Sequence, residues 1–276
     1  MAKRKEREKT LKLRCYNIVI QPVESQDKEN YTKLFKKFFE LNPPVCVYGD
    51  RYMRFKSMNF SEDGLIYGTL VNFVQLSGED WYNSETNDYE NVNVNPSLHP
   101  NVKEYNYYFS PSKHKLYIEI GVAVKQADKF LTTLISQATQ ALGYDAVCNV
   151  VSSQESIERI ISAKRLTRLV IRIHYSNSDN PDGWAGMIDN DNKESNIRTL
   201  KVEATGTKGN PIELENNNMM LGCLSLSRVN GDAIATVVTD NGTEHISTQD
   251  SPEQTEVKYR NQDCILDKVK HLFGLK

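Results

Sequence analysis

Residues 11–22, LKLRCYNIVIQP, have the pattern of a β-strand. Apolar and polar residues alternate at the start of this segment, and an apolar run follows. Pro22 has no backbone N–H to donate and ends the strand. The next apolar residues, from Tyr31 to Phe39, recur at helical spacing with lysines on the opposite side. An amphipathic helix is therefore expected after the first strand.

The rest of the chain alternates irregularly between strand-like and helical segments. Residues 127–142 give the clearest helix, because apolar side chains recur on one face until Gly143. Ser152 and Glu155 predict a capping box that begins another helix, and Asn241-Gly242 predicts a hairpin turn with a third strand near residues 255–259. No regular series of β-α-β units is visible. We therefore expect an α+β fold with antiparallel or mixed sheets and about five helices packed largely on one face.

The pattern divides the chain into three parts. Residues 1–11 are expected to form a basic flexible arm, residues 12–124 a β-rich subdomain, and residues 125–276 a mixed α/β subdomain. Residues 77–104 are polar, rich in asparagine and acidic, which predicts a long surface loop within the first subdomain.

Composition excludes several classes of protein. The 276 residues are 39% hydrophobic and 25% charged, with a formal net charge of −2, unlike a disordered chain or a uniformly basic nucleic-acid binder. No apolar run reaches the roughly 18 residues of a membrane helix, and no signal peptide follows the basic N-terminus, so we expect a cytoplasmic protein that does not bind membranes. The five cysteines are widely spaced. We expect no structural disulfide, no structural metal and no cofactor.

Positive charge is concentrated between residues 159 and 178, where no acidic residue occurs. Side chains alternate between the two faces of a strand, so Arg168, Arg172 and His174 would share one face. Such a face supplies the sequence-independent part of nucleic-acid affinity. The candidate phosphate-binding residues are Arg159, Lys164, Arg165, Arg168, Arg172 and His174, with Lys3, Arg4 and Lys5 of the arm. The alternative is a solvated corner whose cations pair with acids from distant segments.

Signatures of catalysis are weak. Two strand histidines, His114 and His174, can act as general acid and base, but the two-histidine phosphoesterases have a hydroxyl residue two positions after each histidine, and Leu116 breaks that pattern. A metal-dependent nuclease requires converging carboxylates. The candidates for that role are Glu119, Glu203, Asp179, Asp182 and Asp189. The sequence contains no GxxxxGK[ST], GxSxG or HExxH motif, so an enzyme is not the leading hypothesis.

Four segments resemble an uncharacterised bacterial family that is found in phage-defence and mobile-element contexts. They are LRCYNIVIQP (13–22), SPSKHKLYIEIGV (110–122), RLVIRIHYSNSD (168–179) and DNGTEHISTQDSPEQTEVKY (240–259). The order of elements is also similar to that of the phage exclusion protein RexA and of RdgC, which is a likeness of organisation alone.

Three hypotheses of function follow from the resemblance and the charge pattern. The first is a nucleic-acid-binding or sensing component of a phage-defence (abortive-infection-like) system, which binds DNA or RNA through the basic face and forms a homo-oligomer. The second is a metal-dependent defence nuclease. The third is a protein-interaction module, antitoxin-like or inhibitory, whose contact surface is the acidic segment 77–91 with five acids and no base.

Overall fold

The computed structural model describes residues 7–177, 181–260 and 264–275, which form two antiparallel sheets and a separate hairpin. The chain begins with β1 (Lys9–Gln21), α1 (Lys28–Leu41), β2 (Val45–Tyr48), β3 (Arg51–Phe60), β4 (Ile66–Val74), β5 (Trp81–Asn83), β6 (Asp88–Glu90), β7 (Lys103–Ser110), β8 (Lys115–Glu119), α2 (Val124–Leu142) and β9 (Asp145–Val150). It continues with α3 (Gln154–Ile161), β10 (Leu166–His174), α4 (Gly183–Glu194), β11 (Thr199–Thr205), α5 (Asn218–Asn230), β12 (Gly231–Thr239), β13 (Gly242–Ser247), β14 (Gln254–Tyr259) and α6 (Ile265–Leu272).

The larger sheet is organised around β1. Its strands follow the order β14-β1-β8-β7-β4-β3-β2, and β9 pairs with the second half of β1. Residues 9–14 of β1 pair with β14, residues 13–17 with β8, and residues 16–21 with β9, all antiparallel. The first predicted strand is therefore a central strand, which explains why its apolar run is almost completely buried.

The main core lies between one face of this sheet and helices α1 and α2. Phe35 of α1 stacks on Phe109 of β7 with ring centroids 3.9 Å apart, and Phe55 and Phe130 complete the aromatic centre. α2 ends where the sequence predicts, because Gly143 takes the left-handed conformation (φ +75°) that caps a helix.

The opposite face of the larger sheet is covered by α6. Leu13 and Cys15 of β1 pack there with Val269 and Phe273. The described residues contain six α-helices, and α6 lies on the other side of the sheet from α1 and α2. The α+β class with antiparallel sheets is confirmed. The expectation that the helices lie largely on one face is too simple, because both faces of β1 carry apolar side chains that must be covered.

The smaller sheet has the order β11-β10-β12-β13 and is also antiparallel. Leu169, Ile171 and Ile173 of β10 are buried against α5, on the face that strand alternation predicts. Sheet membership does not follow the chain in two halves, since β14 and α6 return to the larger sheet. The division into subdomains at residue 124 stays a prediction.

Two segments differ from their sequence-based descriptions. The predicted surface loop 77–104 contains the hairpin of β5 and β6, and its last residues already belong to β7. The strand expected near residues 255–259 exists as β14, but it pairs with β1 rather than with the hairpin of β12 and β13. None of the described helices combines the length and the apolar character needed to cross a membrane.

A buried polar network joins the two sheets. Asn17 of β1 donates from Nδ2 to Oδ1 of Asn230 at the end of α5 (2.8 Å), and its own Oδ1 accepts from Nδ2 of Asn177 after β10 (2.8 Å). Tyr31 of α1 donates to Asn177 Oδ1 at 3.1 Å. Asn17, Asn177 and Asn230 are all buried. Each amide therefore depends on the others to satisfy its hydrogen bonds.

We expect Asn17→Ala to lower the free energy of unfolding by about 2–4 kcal/mol, because it leaves Asn177 Nδ2 and Asn230 Oδ1 buried without partners. Asn91→Ala is the control, since Asn91 is exposed in the segment before β7 and should change stability by less than about 0.5 kcal/mol. Urea unfolding followed by circular dichroism measures both. Equal unfolding midpoints for the two variants would show that the network does not hold the sheets together.

Candidate functional site

The predicted basic face lies on the smaller sheet, on the side opposite its helices. β10 is an inner strand between β11 and β12, and its Arg168 and Arg172 side chains are exposed. Lys201 of β11 lies directly across from Arg172. The strand alternation thus brings three cations to one surface.

Acidic residues on the neighbouring strands neutralise much of this charge. Glu203 of β11 accepts hydrogen bonds from Arg168 (2.7 and 2.9 Å) and from Lys201 (2.9 Å). The hydrogen bonds from Lys201 and then Arg168 hold the pKa of the Glu203 carboxyl below its usual value. Asp232 of β12, which is buried, pairs with Arg172 at 3.1 Å. The acids reach the face because β11 and β12 run on either side of β10.

The other predicted cations lie around the edge of the smaller sheet. Arg159 of α3 pairs with Glu244, and Arg165 pairs with Asp240 at 2.9 Å. Lys164 is exposed and forms no ion pair with the described part of the chain. Exposed pairs of this kind contribute about 0–1 kcal/mol each, so a phosphate group has to compete with a weakly held carboxylate.

His174 lies at the end of β10 and differs from the arginines. Its Nδ1 lies 3.2 Å from the hydroxyl of Thr199, and burial lowers its pKa from the ordinary value. The ring is therefore more readily neutral at pH 7 than an exposed histidine. Lys3, Arg4 and Lys5 lie outside the described residues. The structure thus groups Arg168, Arg172 and His174 along β10, and it places Arg159, Lys164 and Arg165 at the sheet's edge.

The candidate catalytic residues occupy separate places in the fold. His114 is buried in the turn between β7 and β8, where its ring stacks on Tyr31 at 4.4 Å, whereas His174 belongs to the other sheet. Glu119 accepts from Asn106 (2.7 Å), and Asp189 is buried in an ion pair with Lys193 (2.6 Å).

The remaining nuclease candidates add no converging set. Asp182 precedes the first turn of α4, and Asp179 lies outside the described residues. Within residues 7–177, 181–260 and 264–275, no three His, Cys, Asp or Glu side chains are grouped so that they could hold a metal ion.

The hairpin of β5 and β6, hereafter the acidic hairpin (residues 77–91), exposes three large aromatic side chains. Trp81, Tyr82 and Tyr89 are 40%, 59% and 70% exposed. The rings of Tyr82 and Tyr89 meet edge to face with centroids 6.1 Å apart. Trp81 donates from Nε1 to the carbonyl of Ser77 at 2.6 Å, which fixes its indole.

The acidic hairpin also has an unbalanced charge. Its five acids are Glu79, Asp80, Glu85, Asp88 and Glu90, and it contains no base. None of the five forms an ion pair with another described residue. The acids are evident in the sequence, but the hairpin was not predicted from it. The available signal was the aromatic residues Trp81, Tyr82 and Tyr89 on either side of a polar turn, since strands favour aromatic cross-strand pairs.

The ion pairs of the basic face lead to a test of nucleic-acid binding. Glu203→Gln removes the carboxylate that Arg168 and Lys201 share, so it should strengthen binding to duplex DNA several-fold, and each added phosphate contact should raise the log-log salt slope by about 0.9. Arg168→Glu with Arg172→Glu should weaken binding. Fluorescence anisotropy at several salt concentrations measures the affinities.

The matched control for that test is Glu256→Gln. Glu256 forms an exposed ion pair with Lys12 at 2.9 Å on the larger sheet, so this variant changes net charge equally at a distant site. Binding through the basic face is contradicted if both Gln variants behave alike and the double arginine variant binds like the wild type.

A family model described as a domain of unknown function, DUF4747, matches residues 9–273. A search of curated proteins finds no match to the chain. Because the family model covers nearly the whole sequence, from the start of β1 to the end of α6, the chain belongs to the DUF4747 family.

Proposed function

We propose that this protein is an interaction module that binds a partner protein through the acidic hairpin. One observation carries the proposal: Trp81, Tyr82 and Tyr89 are exposed together on a hairpin whose β5 pairs only with β6 among the described strands. Large exposed aromatic groups within a polar rim are typical of protein-interaction surfaces. Tryptophan and tyrosine are also the residues that most often dominate binding energy at an interface.

The acidic hairpin is organised before any partner binds. Asn87 takes a left-handed conformation (φ +63°) in the turn, which an asparagine tolerates well. At its base, Val92 N–H donates to the carbonyl of Gly78 at 2.7 Å. A Cβ atom at Gly78 would lie 2.4 Å from the carbonyl oxygen of Val92, so the close approach requires glycine. A surface that is already ordered loses less conformational entropy on binding.

The charge of the hairpin defines the chemistry of the partner. Five acidic residues share the hairpin with the aromatic rings, and none of them forms an ion pair with another described residue. A partner with a basic surface would be attracted during the encounter, and the aromatic rings would supply the desolvated contact. We therefore propose a basic protein surface as the partner, in agreement with the hypothesis of an interaction module that is antitoxin-like or inhibitory.

Photo-crosslinking in the cells that produce the protein tests this proposal. A photoreactive residue at position 82 should capture one basic protein, whereas the same residue at position 48 should not. Tyr48 is the matched control, since it is 71% exposed and lies in β2. Trp81→Ala with Tyr89→Ala should weaken the purified complex at least tenfold, and the affinity should fall as salt rises.

Two results would contradict the proposal. The first is that photoreactive residues at positions 82 and 48 capture the same set of proteins. The second is that the variant with both Trp81→Ala and Tyr89→Ala binds the captured protein as tightly as the wild type. Melting curves of both variants show whether the rest of the fold is intact, and we expect little change because the rings are exposed.

Nucleic-acid binding through the basic face is a second proposal. Its support is the common surface of Arg168, Arg172 and Lys201 on the smaller sheet. The ion pairs with Glu203 and Asp232 make it the weaker of the two. A role in phage defence is compatible with either surface and rests on the resemblance of sequence segments.

A further inference from the structure

A cleft separates helix α2 and strand β9 from the end of the smaller sheet. It consists of two adjoining cavities of about 510 and 400 Å³. Both are lined by Thr139 of α2, Asp145 of β9 and Arg198 before β11. His174 and Gly231 close the smaller cavity from the side of the smaller sheet. Cavities of this size are typical of small-molecule sites.

Two buried amide groups in the cleft have no hydrogen-bond partner among the described residues. Asn149 is 6% exposed and lines the smaller cavity, and its Nδ2 bonds to no other atom of the described chain. Gln21 lines the larger cavity, and its Nε2 is likewise buried without a partner. Buried donors without acceptors are rare in folded proteins because they lose hydration without compensation. Each cavity therefore borders a buried donor whose hydrogen bond no described residue satisfies.

The free edge of β9 adds backbone groups to the same cavity. The N–H of Ile18 in β1 points away from β9 and donates to the carbonyl of His114 at 2.9 Å. Cys148 of β9 lies opposite Ile18, so it forms no backbone hydrogen bond with β1 at that position. Backbone groups of Ala146, Cys148 and Val150 therefore point away from β1. No described strand pairs with this edge, and all three residues line the smaller cavity.

An exchangeable cation lies where the two cavities meet. Arg198 Nη1 is 3.2 Å from Asp145 Oδ2, and both side chains are more than half exposed. The pair spans the cleft from the smaller sheet to β9. Because an exposed ion pair is weak, an anionic ligand can replace Asp145 as the partner of Arg198 at little cost.

The lining of the larger cavity includes side chains with rings. Tyr144 and Tyr175 line it together with Pro22. The hydroxyl of Tyr144 donates to the carbonyl of Asn30 at 3.1 Å, which fixes the position of its ring. Aromatic side chains stack on planar rings of a ligand. The smaller cavity is more polar, with hydroxyl groups of Thr132 and Ser136 and the amide of Gln249.

We infer that the cleft binds a mononucleotide. The base lies against Tyr144 and Tyr175 in the larger cavity, and the phosphate contacts Arg198 in the smaller one, where a rotation of the Asn149 side chain brings its amide into reach. Asp128, which lines the smaller cavity on α2, accepts hydrogen bonds from the ribose hydroxyls, a role that carboxylates have in dinucleotide-binding folds. This site is separate from the acidic hairpin, so its test does not depend on the proposed function.

Isothermal titration calorimetry with AMP, GMP, CMP and UMP tests the inference. At least one of these nucleotides should bind, and its nucleoside, ribose 5-phosphate and inorganic phosphate should each bind at least tenfold more weakly, because each lacks one half of the contact set. Asn149→Ala and Arg198→Ala should each lower the affinity about tenfold or more. Asp145→Asn breaks the same ion pair from the other side, and it should increase the affinity because it releases Arg198.

The stability of the ligand-free protein separates binding from a structural role. Asn149→Ala removes a donor that has no partner, so the melting temperature without ligand should stay the same or rise. The inference is wrong if none of the four nucleotides binds at millimolar concentration, or if Asn149→Ala and Arg198→Ala bind like the wild type. A marked loss of stability in Asn149→Ala would also overturn it, since the amide would then serve the fold.

Discussion

The antiparallel pairing of β1 with three other strands is the constraint on which the rest of the structure depends. One edge of β1 bonds first to β14 and then to β9, while the other bonds to β8. Its even-numbered residues Tyr16, Ile18 and Ile20 belong to the core with α1 and α2, and Leu13 and Cys15 belong to the cluster with α6. A single strand near the start of the described chain thus contributes to the core on both faces of the larger sheet and holds β14 and α6, the last elements of the described chain.

The buried face of β1 also determines how the second sheet is held. Asn17 lies among apolar neighbours and has satisfied hydrogen bonds only because Asn177 and Asn230 come from the other sheet. The same arrangement creates the cleft. β9 uses one edge for β1, and the smaller sheet approaches its other edge without pairing with it. Asn149 lies directly opposite Asn17 in the paired strands, but its amide nitrogen has no partner among the described residues. The Asn17 amide therefore serves the fold, whereas the Asn149 amide is left for a ligand.

Much of the local structure could be predicted from the sequence, because periodicity records which face of an element is buried. The helix near residues 127–142, the buried face of Leu169, Ile171 and Ile173, and the hairpin of β12 and β13 are in the structure, although its turn residues are Asp240-Asn241, one position before those predicted. Strand partners were not predictable in the same way. β14 has a strand's composition, but nothing in its own pattern shows that it pairs with a strand at the start of the chain. The cleft likewise consists of segments that are distant in sequence, so its two orphan amides have no local signal.

The two charged segments show why a run of like charges in a sequence does not by itself give a charged surface. Arg168 and Arg172 lie on an inner strand, and each has an acidic partner from an adjacent strand, Glu203 at a separation of 35 residues and Asp232 at 60. The acidic hairpin has no other strand beside it among the described residues, so no neighbour brings a cation to its five carboxylates. The strand order therefore neutralises much of the positive charge on β10 and leaves the negative charge of the acidic hairpin without ion pairs among the described residues. Unneutralised charge steers an approaching molecule over distances of about 10 Å at 0.1 M salt, and on this chain that charge lies on the same hairpin as three exposed aromatic rings.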